Sequence, residues 1–330
     1  MKVLFIGGTG IISTAVSHLA IERGFELSVL NRGKRNDVLP AGVEVLQGNW
    51  KDDDDAKALL QGRRFDAIVQ WISFTVDDVA RDVRLLSPHT PQLVFISSAS
   101  AYQKPLPFLP VTEAMPLDNP YWPYSKNKQR CEEYLLANQT DDFHVTIVRP
   151  SHTYDDRMIV SQLNSHAHPY SLLWRMKQGL PIILPDGGEE WWTLTYNADF
   201  AAGFLDLLGN PATYGEYYHL TSDKTYRWKE IHQALADALG VHPPVVSIPW
   251  DTIFEVFPDY RPEILGDKAK SLVFDNKKVR AVAPHYTSRT EYPDIARQIV
   301  AYYENNPSKQ TLDHEFLSRY DRLVASVSDA

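Results

Sequence analysis

Tyr124 and Lys128 stand four residues apart in the run Tyr124-Ser125-Lys126-Asn127-Lys128. On a helix that spacing puts both side chains on one face. A free phenol holds its proton up to roughly pH 10. A neighbouring ammonium favours the phenolate and makes the phenol usable as a proton donor or acceptor. Upstream lies Ser97-Ser98-Ala99-Ser100, where a hydroxyl can hydrogen-bond a reacting oxygen and stabilise the charge that develops on it. Serine, tyrosine and lysine together suit proton exchange at an oxygen bonded to carbon.

A second constellation opens the chain. Gly7-x-x-Gly10-x-x-Ser13 follows the apolar run Val3–Ile6 and precedes a stretch with apolar residues at Ile12, Val16, Leu19 and Ala20, a helical spacing. A strand, a glycine turn and a helix place a helix N-terminus against a phosphate, and glycine lets a pyrophosphate approach the backbone. The expected contacts are Gly7, Gly10 and the backbone of Ile11 and Ile12. After the next strand comes Asn31-Arg32-Gly33-Lys34-Arg35, and the first acid beyond that strand is Asp37. A ribose 2′-hydroxyl of NAD calls for an Asp or Glu there, whereas a guanidinium forks onto a 2′-phosphate. NADP is therefore expected ahead of NAD, with Asn31 and Arg32 at its adenosine end.

These residues need a scaffold, and the alternation of patterns supplies one. Strands are predicted at Val3–Ile6, Leu27–Leu30, Val43–Leu46, Ala67–Trp71, Leu93–Ser97 and Val145–Val148. Helices are predicted at Ile11–Arg23, Asp52–Leu60, Val76–Leu86 and Tyr124–Ala137. Repeated strand–helix alternation predicts an α/β fold with a doubly wound parallel sheet of Rossmann type over residues 1–155. Segments near 196–220 are expected to complete the sheet. Residues 156–330 are expected to form mainly a smaller, mixed substrate-binding cap. The rhythm loosens over 151–195, a helix is expected to start near Asp199 with that residue as its cap, and later elements are predicted at Tyr217–Leu220, Trp228–Leu239, Val245–Ile248, Ile295–Tyr303 and His314–Val324.

A net charge of −9 offers no general attraction to nucleic acid or to an anionic bilayer. No apolar run is long enough to span a membrane. The single cysteine, Cys131, is expected to be packed, and with no disulfide possible the expected compartment is the cytoplasm. His166-x-His168 has no Cys or acid cluster around it, so no metal site is expected.

In order and context, the glycine turn, the stretch VFISSASAY, Tyr124-x-x-x-Lys128 and Arg149-Pro150 resemble the extended short-chain dehydrogenase/reductases. These are NAD(P)-dependent sugar epimerases, dehydratases and reductases. The resemblance is strong through residue 155 and more diffuse to about residue 305. It implies Ser98, Tyr124 and Lys128 as the catalytic set, with Lys128 also holding the nicotinamide ribose, and Gly7, Gly10 and Ser13 as the pyrophosphate turn. It further implies hydride transfer to or from a secondary hydroxyl or ketone, by an oxidoreductase or an epimerase, and a homodimer through residues 76–87 and 124–138. Family dehydratases carry an Asp-Glu pair where Ala99 and Ser100 stand, which counts against dehydration. Trp192 occupies the place of an arginine that binds substrate diphosphate. The expected substrate is accordingly a sugar or sugar-like small molecule without a diphosphate, met by Ser100, His152, Tyr154, Trp191 and Trp192. GGTGIIS and LNRG also resemble a branch that includes the chloroplast stem-loop RNA-binding proteins. A catalytically inactive RNA-binding or nucleotide-sensing protein is the alternative, and the retained serine, tyrosine and lysine count against it.

Overall fold

The computed structural model describes residues 1–328. They divide into two compact units. One comprises Met1–Thr153, Thr195–Asp223 and Phe274–Ser288; the other comprises Tyr154–Leu194, Lys224–Val273 and the residues from Arg289 onward.

In chain order the elements begin β1 (Lys2–Ile6), α1 (Ile11–Glu22), β2 (Glu26–Asn31), β3 (Glu44–Gln47), α2 (Asp53–Leu60), β4 (Ala67–Gln70) and α3 (Val76–Leu86). There follow β5 (Gln92–Ile96), α4 (Pro123–Ala137), β6 (His144–Pro150), β7 (His152–Tyr154), α5 (Tyr170–Lys177), β8 (Ile182–Pro185), β9 (Trp191–Tyr196) and α6 (Asn197–Phe204). The chain continues through β10 (Tyr217–Leu220), β11 (Thr225–Arg227), α7 (Trp228–Leu239), β12 (Val245–Ile248), α8 (Trp250–Val256) and α9 (Arg261–Glu263). The last helices are α10 (Lys277–Val282), α11 (Tyr292–Asn305) and α12 (His314–Ser328).

In the first unit seven strands form one sheet in the order β10-β6-β5-β4-β1-β2-β3, and every pair is parallel. The chain winds outward from β1 through β2 to β3, then restarts at β4 on the other side of β1. That reversal makes a crevice beyond the carboxyl ends of β1 and β4, where ligands bind in such sheets. The sheet is buried because successive side chains alternate between faces that are both covered. Val3 and Phe5 pack with Val16 and Ala20 of α1 and Phe200 and Phe204 of α6. Leu4 and Ile6 pack in a second layer with Phe95 and with Cys131 and Leu135 of α4.

The α2 helix starts on Asp52, whose carboxylate accepts from the backbone N–H groups of Asp54 (2.9 Å) and Asp55 (3.1 Å). Asp199 is not the cap of its helix. α6 begins at Asn197 with Tyr196 at the cap, which leaves Asp199 buried in the first turn, where the helix dipole favours an acid.

The second unit packs Leu163, Ile183, Ile248, Trp250, Phe257, Phe316 and Tyr320 into one core. β12 pairs with β8 in parallel, and β11 pairs with β9 antiparallel. The stretch 151–195, where the sequence rhythm loosens, contains α5, β8 and β9. In α5 the residues Tyr170, Ser171, Leu172, Leu173, Arg175 and Met176 are all buried, so the helix shows no polar face. Arg175 is tolerated inside because its guanidinium meets Asp321 (2.5 Å) and lies 4.3 Å from the Tyr320 ring centre. No helix among the described residues is long and apolar enough to cross a membrane.

Candidate active site

The turn after β1 requires glycine. Gly7 and Gly8 have φ of 104° and 99°, a region that residues with a Cβ rarely adopt. A Cβ on Gly7 would also lie 2.9 Å from Ile72 Cγ2. Gly10 caps α1, and a Cβ there would meet only Ser13 Oγ, at 3.5 Å, so the side facing the crevice is open. Ser13 Oγ accepts from Gly10 N at 2.8 Å. The first-turn N–H groups of Ile11 and Ile12 have no intrahelical acceptor and sit at the positive end of the helix dipole.

At the end of β2, Asn31 Oδ1 accepts from Gly33 N (2.6 Å), while Asn31 Nδ2 is buried with no hydrogen-bond partner. Arg32, Lys34 and Arg35 are exposed. The open glycine turn, the unpaired amide and the neighbouring cations fit a dinucleotide.

Tyr124 and Lys128 lie on α4. The Tyr124 ring centre is 4.7 Å from that of Trp122 and 6.3 Å from that of Phe74, and Lys128 Nζ stands 5.8 Å from the Tyr124 ring centre. Lys128 is only 2% exposed and donates to Ser73 O (2.9 Å) and Ile96 O (2.8 Å). An ammonium has three protons to donate, so one remains for a ligand. Burial pulls the Lys128 ammonium down to about 8, against the pull of Cys131, Glu132, Asp78 and Asp82, which favour its charge. The carbonyl beneath it is pinned in turn. Ser73 Oγ donates to Asp82 Oδ2 (2.6 Å), and Asp82 Oδ1 accepts from Gln70 Nε2 (2.8 Å) and Trp50 Nε1 (3.0 Å). Asp82 is fully buried, and burial pushes its carboxyl up to about 6 despite those three donors.

Ser98 follows the end of β5, the same strand end whose Ile96 carbonyl holds Lys128. Its Oγ lies 2.8 Å from Ser100 Oγ, which lies 2.7 Å from Ser125 Oγ on α4. Ser98, Tyr124 and Lys128 are thus tied to one end of β5 through the residues beside them. Ser100, expected at the substrate, is instead 3% exposed and faces the other two serines.

Of the other residues expected at the substrate, His152 belongs to the first unit and Tyr154, Trp191 and Trp192 to the second. Tyr154 is 1% exposed and packs edge-on against Tyr292 in the second unit. Trp192 is completely enclosed and stacks on Trp228 at 5.0 Å, so it presents no face to a sugar. Trp191 is exposed, with the Arg227 guanidinium 4.9 Å from its ring centre. His152 is half-buried at the start of β7. His166 pairs with Glu263 and stacks on Tyr260, and among the described residues no group of three metal-capable side chains occurs.

Several residues at the site carry no sequence signal. Ser125, Asp82 and Ser73 look like ordinary polar positions until the fold brings them together. Phe74 and Trp122, which flank Tyr124, look like ordinary apolar ones. Arg149 of the Arg-Pro pair is buried and gripped by Glu132, with Nε 3.0 Å from Oε1 and a terminal nitrogen 2.6 Å from Oε2. Its guanidinium lies between the rings of Tyr102 and Tyr217. Glu132 is one helical turn beyond Lys128, so the ion pair fastens α4 to β6.

The model of the NAD dependent epimerase/dehydratase family matches residues 3–220. The chain belongs to this family. It is 27% identical over 291 residues to the 2′-dehydrokanamycin reductase of Streptomyces kanamyceticus, across 88% of this chain and 81% of the relative. It is 26% identical over 258 residues to a chloroplast stem-loop binding protein of 41 kDa from Arabidopsis thaliana, across 74% of this chain and 65% of that protein. Among solved structures, an epimerase from Methanothermobacter thermautotrophicus superposes with a TM-score of 0.74 at 16% identity, covering 94% of each chain. That likeness is one of fold: the seven-stranded parallel sheet with smaller mixed sheets after it is the architecture of the family.

Proposed function

We propose that this chain is an NADP-dependent oxidoreductase that interconverts a ketone and a secondary alcohol on a sugar-like molecule without a nucleoside diphosphate. The observation that carries the reading is Lys128, buried and held by two carbonyls beneath Tyr124, with Ser98 at the same strand end. The bound dinucleotide supplies or accepts the hydride. In reduction Tyr124 gives its phenolic proton to the ketone oxygen, and the Lys128 ammonium stabilises the phenolate left behind. Ser98 donates a hydrogen bond to that same oxygen and spreads its developing charge. In oxidation the proton moves the other way.

Two observations support the substrate class. Trp192 stands where a diphosphate-binding arginine is expected, and it is enclosed. The rim beside Tyr124 is aromatic, with Phe74 exposed and Trp122 half-buried, a surface for the C–H face of a sugar ring. The kanamycin-ketone reductase among the relatives agrees with both. The test is a ketone panel assayed with NADPH: 2′-dehydrokanamycin and methyl glucosides in which one of the secondary ring hydroxyls in turn is oxidised to the ketone. Turnover of a panel member is expected. NADPH binding with no turnover of any of them overturns the reading in favour of a nucleotide-sensing or RNA-binding role. Trp122→Ala is expected to raise KM about fivefold with kcat nearly unchanged; an unchanged KM removes the ring from the substrate rim.

The cofactor assignment has its own measurement. In a nicotinamide-fluorescence titration NADPH should bind more tightly than NADH, and Arg32→Ala should weaken NADPH by roughly 10–100-fold, the worth of a charged hydrogen bond, while leaving NADH alone. Equal weakening of both would assign Arg32 to the shared adenosine rather than the phosphate.

A further inference from the structure

We infer that Ser100 and Ser125 are positioning residues that fix the hydroxyl of Ser98 as a hydrogen-bond donor toward the reacting oxygen. The inference rests on the oxidoreductase reading above and adds to it a source for the direction in which Ser98 points its proton.

The three hydroxyls form a chain, with Oγ separations of 2.8 Å from Ser98 to Ser100 and 2.7 Å from Ser100 to Ser125. A hydroxyl donates one proton and accepts through two lone pairs, so the chain has three possible proton orders: from Ser98 to Ser125, from Ser125 to Ser98, or from both ends onto Ser100. Ser125 is completely buried, and among the described residues Ser100 Oγ is the only hydrogen-bond partner of its hydroxyl. If Ser98 donated inward, either Ser100 would donate to Ser125 and strand the Ser125 proton, or Ser125 would also donate to Ser100 and strand the Ser100 proton, in each case in a dry interior with no acceptor. An unmade buried hydrogen bond is the costly outcome. The order therefore runs from Ser125 to Ser100 to Ser98.

That order leaves one proton free, on Ser98. The Ser98 oxygen accepts from the Ser100 hydroxyl and from Ser100 N at 3.2 Å. Both of its lone pairs are then engaged by protein, and its own O–H has nowhere to go but outward. The exposure pattern agrees: from Gln92 to Tyr102 every residue is buried except Ser98. Ser100 cannot drift, because Asn119 Nδ2 holds its carbonyl at 2.6 Å. A ketone oxygen and a carbinol oxygen both accept from a donor, so a dedicated outward proton serves both directions of the reaction.

The test is a double-mutant cycle on kcat, using whichever ketone of the panel is turned over fastest. Ser100→Ala is expected to lower kcat roughly fivefold, with KM and NADPH binding nearly unchanged. In a Ser98→Ala background the same change is expected to do nothing further, because Ser100 acts only through Ser98. Ser100→Thr, which keeps the hydroxyl, should recover most of the loss. Ser125→Ala gives a second reading of the same chain should Ser100→Ala fold poorly, and it too should matter only when Ser98 is present. An equal loss of kcat with and without the Ser98→Ala change, or no loss in either case, overturns the inference while leaving the oxidoreductase reading intact. Absence of turnover by the unmodified chain on every ketone overturns that reading, and the inference falls with it.

Discussion

Tyr124→Phe should lower turnover of a ketone by roughly 10²–10⁴-fold, the usual worth of a positioned proton donor, and leave NADPH binding nearly intact. The substitution removes one hydroxyl and keeps the ring, so the contacts of Tyr124 with Trp122 and Phe74 persist. Lys128 keeps both of its carbonyl partners, since neither belongs to the tyrosine. Initial rates from NADPH absorbance, set beside a fluorescence titration of the cofactor, separate the two effects. Unimpaired turnover would mean that the proton comes from another group. Loss of cofactor binding along with turnover would mean that the phenol shapes the cofactor site rather than the proton transfer.

The second large effect concerns stability. Glu132→Ala should cost about 3–5 kcal/mol, because it strands a buried guanidinium without its counter-charge. The two side chains are 4% and 2% exposed, and Arg149 lies between two aromatic rings with no route to water. Burial disfavours the charged guanidinium, but Glu132, with help from Tyr102, outweighs it, and Arg149 is held above its ordinary value; removing Glu132 takes away the largest opposing contribution. Denaturant unfolding of the unmodified and substituted chains measures the difference. Replacing both partners with apolar residues, as in Glu132→Leu with Arg149→Met, should recover much of the loss, since a dry pair exchanged for hydrophobic contact is often near neutral. A loss below about 1 kcal/mol would place the pair among ordinary surface bridges and contradict its burial.

Much of the first unit is legible in the sequence for a physical reason. Strands covered on both faces become short, wholly apolar runs, and the helices between them carry one apolar stripe. Val3–Ile6, Leu27–Leu30 and Val76–Leu86 could be read in that way. Tyr124 and Lys128 were visible because helical spacing is local. The chain from Ser98 to Ser125 was not, because its hydrogen bonds join positions on different elements and no period relates them. Asp82 was hidden likewise: its three donors come from β4, from the loop after it and from the segment before α2. In the second unit Trp228–Leu239 and Val245–Ile248 were legible in the same way, while α5 and the orientation of Trp192 were not, for another reason. α5 is buried nearly all round, and Trp192 stacks on Trp228 of α7, a contact that no local spacing records.

The first unit is assembled from three separated stretches of chain, and this bears on how it is made. β10 pairs with β6 only after the chain has run through α5, β8 and β9. Gln92, at the start of β5, donates to the carbonyl of Leu207 and accepts from Gly209 N. On a ribosome adding about 5–20 residues per second, the β6 edge therefore stays open for several seconds after it emerges. An unpaired strand edge is a template for pairing with a neighbouring chain, and contacts this distant in sequence form slowly. The nascent protein thus passes through an interval in which its sheet is built as far as β6 but not closed, with that strand edge open to pairing with other copies.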